Sequence, residues 1–501
     1  MRATCTMINT HMQSLGSSRR QRRSTNVVPS RVSDVEVESC LGSSQRKVRL
    51  CASSSAGTET EAEKEDVSPL QRVLKQLPPF GPVTLARWGL LRLWRAVVGE
   101  DDAHVFLPIS IARCSAEYPP FVFVSGGDSF MSTLNALAAE GKLNDKVRAG
   151  LVELFENYRG ALMSSPRQTD ADAEAAKMIS SIAERVALQY RDPYTFPSRH
   201  ERILSPFDYY AFGQRYCGNL INFRSSYVGN VAGFREVKAQ LERGENVVLM
   251  ANHQSEADPG VWAWMTQYID ANLATDMRYV AGDRVVLDTF AKPFSMGRNL
   301  VCVHSKRHMG DDPVIRAEKM KTNQRSVREL GILFREGGAL LWIAPSGGRD
   351  RVDPETDEYK PAAFDPAAVQ LMRRLLAKAS SKHPGHVYPM AMASAEIMPP
   401  PRGVQKELGE ERVLNYHGVG IALGEELREE DIVAAASSDA PGGDNASEPS
   451  DGDADDSQQY CDYLYAKVCD LYGPLAKAVY GRTDAAELNV GLEQPWDGKG
   501  L

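Results

Sequence analysis

Residues 246–259 read NVVLMANHQSEADP. The stretch 246–250 is a short, mostly apolar run, too brief for a globular helix, and it has the pattern of a strand buried on both faces. At Asn252 the run breaks into a polar turn. Asp258-Pro259 then reads as a helix start, because proline is favoured at the first helical position and an aspartate before it can act as the N-cap. Strand, turn and helix in succession are the unit of an α/β domain. In open α/β sheets the carboxyl ends of the strands face the ligand crevice, and His253 stands at such an end.

Removing a proton from a hydroxyl nucleophile needs a base, and a carboxylate to hold an imidazole base in the right tautomer and stabilise its cation. His253 and Asp258 supply both. On one continuous helix their five-residue spacing would splay them by about 140°, so the pair requires a turn between them. Taken alone, His253 also reads as a structural histidine or one of two metal ligands. No third ligand at zinc spacing accompanies it, so no metal is expected.

Working outward, apolar residues recur three or four apart over 143–163 and 171–190, with Asn144 as N-cap and Lys146 and Arg148 on a wetted face, which predicts a small helical bundle. After residue 229 short strands alternate with helices. Strands are predicted over 246–250, 278–281, 300–304, 339–344, 386–393 and 413–421, with helices over 316–335 and 366–380. A stretch of Ala, Ser, Gly, Pro and acids over 434–459 reads as a disordered insertion before a terminal helix over 460–479. The segment 85–98 (LARWGLLRLWRAVV) reads either as a helix packed on the rest of the chain or as one lying on a membrane surface.

The chain has 501 residues and a formal charge of −8, of which seven units belong to the acids between Asp439 and Asp456. The acidity is thus local, and no nucleic-acid partner is expected. The longest uninterrupted apolar runs are far shorter than the ~20 residues that cross a bilayer. Eight cysteines without a Cys-x-x-Cys pair suggest free thiols in a reducing compartment. The first 33 residues hold six arginines, six serines and no acid, the composition of an organellar transit peptide. Val48-Arg49-Leu50-Cys51-Ala52 looks like a stromal processing site, so the mature chain is expected to start near Ala52.

Asn252-His253-Gln254-Ser255-Glu256-Ala257-Asp258-Pro259 resembles the acyltransferase His-x4-Asp block as it stands in plastidial glycerol-3-phosphate acyltransferases. Further blocks resemble the same family: Pro206-Phe207-Asp208-Tyr209-Tyr210, Tyr279-Val280-Ala281-Gly282-Asp283-Arg284, Lys292-Pro293-Phe294-Ser295, and Ile343-Ala344-Pro345-Ser346-Gly347-Gly348-Arg349-Asp350-Arg351. The resemblance runs from about residue 129 to 497, ending at Gln494-Pro495-Trp496. His-x4-Asp alone is a common pattern, whereas these blocks in this order are specific.

The resemblance implies a helical bundle at 129–215 followed by a mixed-sheet α/β acyltransferase domain at 216–501. Before them lie a transit peptide at 1–51 and, at 52–128, a linker and an unassigned N-terminal extension, the linker being the Ser-rich, then acidic stretch 52–68. It implies that His253 and Asp258 are catalytic, and that Arg307, His308, Arg349 and Arg351 hold the phosphate of glycerol 3-phosphate. Two arginines among glycines offer the charge-assisted, bidentate donors a phosphate dianion needs. The family usually has Ser-Lys-Lys-His-Met where this chain has Ser305-Lys306-Arg307-His308-Met309, which keeps charge but changes reach and geometry.

The implied donor is acyl-acyl carrier protein, an acidic partner, with no cofactor, a plastid-stromal location and at most peripheral membrane contact. A basic docking face is therefore expected. It falls either on Arg316, Lys319, Lys321, Arg325 and Arg328, or on Arg373, Arg374, Lys378 and Lys382.

Overall fold

Every residue of the strand Asn246–Ala251 is buried, because it lies in mid-sheet with a helical layer on each face. Val247, Leu249 and Ala251 point into one hydrophobic cluster, and Val248 and Met250 into another, the two-residue period of a strand. The computed structural model describes residues 124–167, 170–305, 309, 312–401, 412–432, 452–488 and 490–497. All of them belong to one compact unit, Thr84–Leu501. The proposed transit peptide, the processing site and the segment 85–98 lie outside the described residues.

The strands in chain order are β1 (Arg199–His200), β2 (Tyr227–Gly229), β3 (Asn246–Ala251), β4 (Arg278–Ala281), β5 (Asn299–Cys302), β6 (Leu340–Ile343), β7 (Arg351–Val352), β8 (Tyr359–Lys360), β9 (Gly385–Ala393), β10 (Gly420–Leu423) and β11 (Leu492–Glu493). Nine form one sheet in the order β1-β5-β4-β6-β3-β9-β10-β2-β11, while β7 and β8 pair separately. The run β5-β4-β6-β3-β9 is parallel, so these strands present their carboxyl ends along one edge. Antiparallel pairs β1–β5, β9–β10 and β2–β11 make the sheet mixed.

Helices Pro313–Glu336, Pro366–Ala379 and Gly452–Val479 cover one face, through Leu330, Phe334, Met372, Leu376, Leu464 and Val468 among others. The other face carries Gly127–Ala139, Asp145–Met163, Ala171–Arg191, Tyr209–Gly218, Val231–Glu242 and Asp258–Thr266. Asn144 caps the second of these helices by accepting from the Val147 amide at 2.9 Å. One hydrophobic cluster runs from Phe130 and Tyr158 in the first helices to Leu249 and Trp342 in the sheet, and Tyr158 stacks on Tyr216 at 4.9 Å. Cys217, Cys302, Cys461 and Cys469 are free thiols.

Two predicted elements need correction. The strand expected over 413–421 is Gly420–Leu423, with only a lone bridge between Ile221 and His417 before it. A Cβ at Gly418 would collide with the Ser225 carbonyl, so the chain crosses there in close contact rather than running in a ladder. Apolar Val413 faces solvent, which misled the pattern.

The terminal helix starts at Gly452, not at residue 460, so the tail of the expected disordered insertion is helical. Asp456 reaches Arg373 at 3.5 Å. Residues 434–451 lie outside the described residues. Replacing 434–451 by a short Gly-Ser bridge is expected to leave melting temperature and turnover nearly unchanged, because that composition cannot support a core. Extending the deletion through 459 removes two helical turns and should lower the melting temperature measurably.

Candidate active site

The turn from β3 into the helix Asp258–Thr266 is built around one carboxylate. Asp258 Oδ2 accepts from His253 Nδ1 at 2.7 Å and from the Gln254 amide at 2.8 Å. Its Oδ1 accepts from the Ser255 amide at 3.1 Å, from Ser255 Oγ at 3.0 Å and from Ser394 Oγ at 2.5 Å. The expected N-cap role is therefore corrected: Ala257 holds the cap position, and Asp258 is the first helical residue, followed by Pro259. The carboxylate folds back to close the turn instead of capping the helix, and so brings the two residues together across their five-residue spacing.

Burial alone would raise the Asp258 carboxyl, but the bonds from His253, Ser394 and the Gln254 amide outweigh it and hold it below the usual carboxylate range. An ionised carboxylate only accepts, so His253 Nδ1 carries a proton, which in the neutral ring leaves the lone pair on Nε2. The Asp258 side chain is 1% exposed and that of His253 26%, so the pair has a buried anchor and an accessible ring. Trp342 on β6 packs against that ring at 5.5 Å between centroids and 82° between planes.

The other residues of the block are scaffolding. Asn252 donates to Asp350 Oδ2 at 2.7 Å and to the Met392 carbonyl at 3.0 Å, and accepts from the Met392 amide at 2.8 Å, locking β3 to β9. Gln254 accepts from the amides of Ser394 at 2.7 Å and Ala395 at 3.1 Å and donates to Tyr472 Oη at 3.0 Å. Asn252, Gln254, Ser255 and Ala257 are all buried. Asn252→Ala strands buried polar groups on Asp350 and Met392, each at a cost of about 1–3 kcal/mol. We expect a lower urea midpoint at unchanged m-value; an unaltered midpoint would show that water replaces the amide.

Glu256 points the other way. Its Oε2 accepts from Arg412 Nε at 2.9 Å, and its Oε1 lies 4.0 Å from Arg349 Nη1. Burial opposes the charge, yet Arg412 and Arg349 keep this carboxyl below the usual range. Arg412 also meets Asp288 at 3.3 Å.

The second block follows β6, the neighbour of β3. Gly347 has φ of +66°, a left-handed conformation that favours glycine, and Ser346 Oγ donates to the Gly348 carbonyl at 3.0 Å. This turn returns the chain to the crevice, where the Asp350 amide donates to the His253 carbonyl at 2.6 Å. Burial pushes the Asp350 carboxyl up to about 6, against the bonds from Asn252 and the Ala362 amide. Arg351 Nη1 donates to the carbonyls of Arg349 at 3.0 Å and Asp350 at 2.9 Å, so it shapes the turn.

The structure thus pairs His253 with Asp258 and Arg349 with Glu256, while Arg351 bonds the backbone of its own turn. Arg307 and His308 lie outside the described residues. Sequence reasoning missed Ser394, Trp342 and Arg412, none of which sits in a motif. No group of three His, Cys, Asp or Glu able to hold a metal occurs among the described residues, and no described helix is long and apolar enough to cross a membrane. Chemically, the site offers a partly accessible imidazole backed by a buried carboxylate.

Residues 235–393 match the Acyltransferase family, and residues 120–194 match the family described as Glycerol-3-phosphate acyltransferase N-terminal. The chain is 38% identical over 428 residues to the chloroplastic glycerol-3-phosphate acyltransferase of Arabidopsis thaliana, covering 83% of this chain and 90% of that one. It is 40% identical to the Spinacia oleracea protein of the same name over 375 residues, covering 74% and 76%. The Carthamus tinctorius protein is 39% identical over 378 residues, covering 75% and 78%.

Proposed function

This chain belongs to the chloroplastic glycerol-3-phosphate acyltransferase family, and on that premise we propose that it moves an acyl chain from acyl-acyl carrier protein to the sn-1 hydroxyl of sn-glycerol 3-phosphate in the plastid stroma. The product is 1-acyl-sn-glycerol 3-phosphate, and a transit peptide over residues 1–51 is removed on import. The observation that carries the reading is the 2.7 Å bond from His253 Nδ1 to Asp258, which leaves Nε2 as the ring nitrogen not held by the carboxylate. No described residue makes a hydrogen bond to that nitrogen.

His253 Nε2 takes the proton of the primary hydroxyl as its oxygen attacks the thioester carbonyl carbon. Asp258 stabilises the imidazolium. As the tetrahedral species collapses, the carbon–sulfur bond breaks and the departing thiolate takes the proton from Nε2, returning the ring to its starting state. Neither metal nor cofactor takes part. Arg349, with Arg351 shaping its turn and with Arg307 and His308, binds the phosphate and so places the hydroxyl. Support for direct transfer comes from Ser394 and Ser255, whose hydroxyls are spent on Asp258 rather than on His253.

The test uses the purified chain beginning at Ala52, with acyl-acyl carrier protein and a panel of acceptors. We expect glycerol 3-phosphate to be acylated at sn-1 in preference to lysophosphatidate. A preference for lysophosphatidate, or a 2-acyl product, would overturn the assignment.

A further inference from the structure

Three arginines are buried among the described residues: Arg185, Arg278 and Arg298. An arginine does not shed its charge on burial, so each needs an anion within reach. Arg185 meets Glu184 at 3.4 Å, and Arg278 meets Glu201 at 2.6 Å. Arg298 has no carboxylate partner among the described residues.

Arg298 lies between the short helix Lys292–Met296 and β5, and its Nη2 donates to Gln214 Oε1 at 2.6 Å. Because the amide oxygen must face the guanidinium, the orientation of the Gln214 amide is fixed and its Nε2 turns elsewhere. Gln214 Nε2 and Arg298 Nη1 are both buried without a hydrogen-bond partner, and the two residues are only 7% and 8% exposed. Two orphan donors, one of them cationic, thus belong to one bonded pair.

The groups nearby do not supply the missing charge. Burial raises the hydroxyls of Tyr210 and Tyr279 and pushes the Cys217 thiol up to about 12, so all three are neutral. Asp258 also acts on Cys217 and Tyr279, but its two oxygens are taken by five donors of their own. A water molecule would satisfy the donors and leave the charge uncompensated.

Space sets the size of the occupant. A Cβ built at Gly213 would find only Arg298 Nη2 and Phe294 Cδ1 within 4 Å, each at 3.7 Å. Room for about one atom therefore remains beside the guanidinium, whose carbon lies 4.9 Å from the Tyr210 ring centroid. A phosphate dianion is larger and calls for more donors. A Cβ at Gly260 would stand 3.8 Å from Arg298 Nη2, so the guanidinium lies against the first turn of the helix Asp258–Thr266.

We propose that Arg298 Nη1 and Gln214 Nε2 bind a small monovalent anion of the halide class beneath the helix that carries Asp258. The ion neutralises a buried cation and ties the helix Tyr209–Gly218, which holds Gln214, to the start of β5.

The test compares melting of the purified chain, free of substrates, in sodium chloride, sodium bromide and sodium gluconate at one ionic strength, so that screening is constant. With halide about tenfold above its Kd, the ratio of unfolded to folded chain should fall about elevenfold, which raises the melting temperature by about 2 °C. Gln214→Glu places a carboxylate where Oε1 already accepts from Arg298 and removes the orphan amide. We expect this variant to melt at one temperature in all three salts. Equal melting of the wild type in the three salts overturns the proposal. A halide effect that persists in Gln214→Glu puts the ion elsewhere, for example at Arg349, and overturns it as well. If the variant does not fold, anomalous scattering from wild-type crystals grown in bromide decides: a peak within hydrogen-bond reach of Arg298 and Gln214 supports the site, and its absence there refutes it.

Discussion

Replacing His253 with alanine should lower turnover by about 10²- to 10⁴-fold while leaving the melting temperature unchanged, the usual loss for a general base. The ring is a quarter exposed, and its one hydrogen bond to a described residue goes to Asp258. Its removal therefore strands little besides that carboxylate, which keeps four other donors. Asp258→Asn is a different experiment. An amide offers one acceptor oxygen where five donors converge and turns an N–H toward the rest, so rate and stability should both fall. Rate measured with thermal melting separates the two variants. Activity of the histidine variant within threefold of wild type would remove His253 from the chemistry.

The second large effect is expected at Arg349. Its guanidinium lies 4.0 Å from Glu256, three residues after His253, and its side chain is 10% exposed. Loss of one charge-assisted bond to phosphate costs about 1.5–3 kcal/mol, or roughly 10- to 150-fold. Arg349→Ala should therefore raise KM for glycerol 3-phosphate by that factor and leave KM for the acyl donor little changed. Arg351→Ala should also raise it, and because Arg351 Nη1 holds two carbonyls of the turn, turnover should fall with it. A misplacement of the acceptor by about 1 Å can cost ~10²-fold. If both variants weakened only the acyl donor, the arginines would belong to donor binding instead.

Much of this site could be read from residues 246–259, because a strand end, a turn and a helix start are local events and His253 and Asp258 fall within one of them. The bonds that hold the pair are not local. Asn252 meets Asp350 across 98 residues and Met392 across 140, and Ser394 reaches Asp258 across 136. A single sequence shows nothing to connect such positions. The misplaced strand near residue 420 has a similar origin, since Gly418 is needed where two backbones cross, a contact invisible until the partner is known. At Gly452 the failure was compositional: acids and small residues read as solvated chain, yet the helix starts among them.

Direct transfer, without an acyl group ever residing on the protein, is tested by the intact mass of the chain. The wild type is mixed with excess acyl-acyl carrier protein, quenched in acid before and after glycerol 3-phosphate is added, and weighed by mass spectrometry. The expected result is an unmodified mass at both points, with acyl-glycerol 3-phosphate formed only after the acceptor arrives. An acyl adduct on the chain that forms first and then disappears as product is made would contradict the role given to His253.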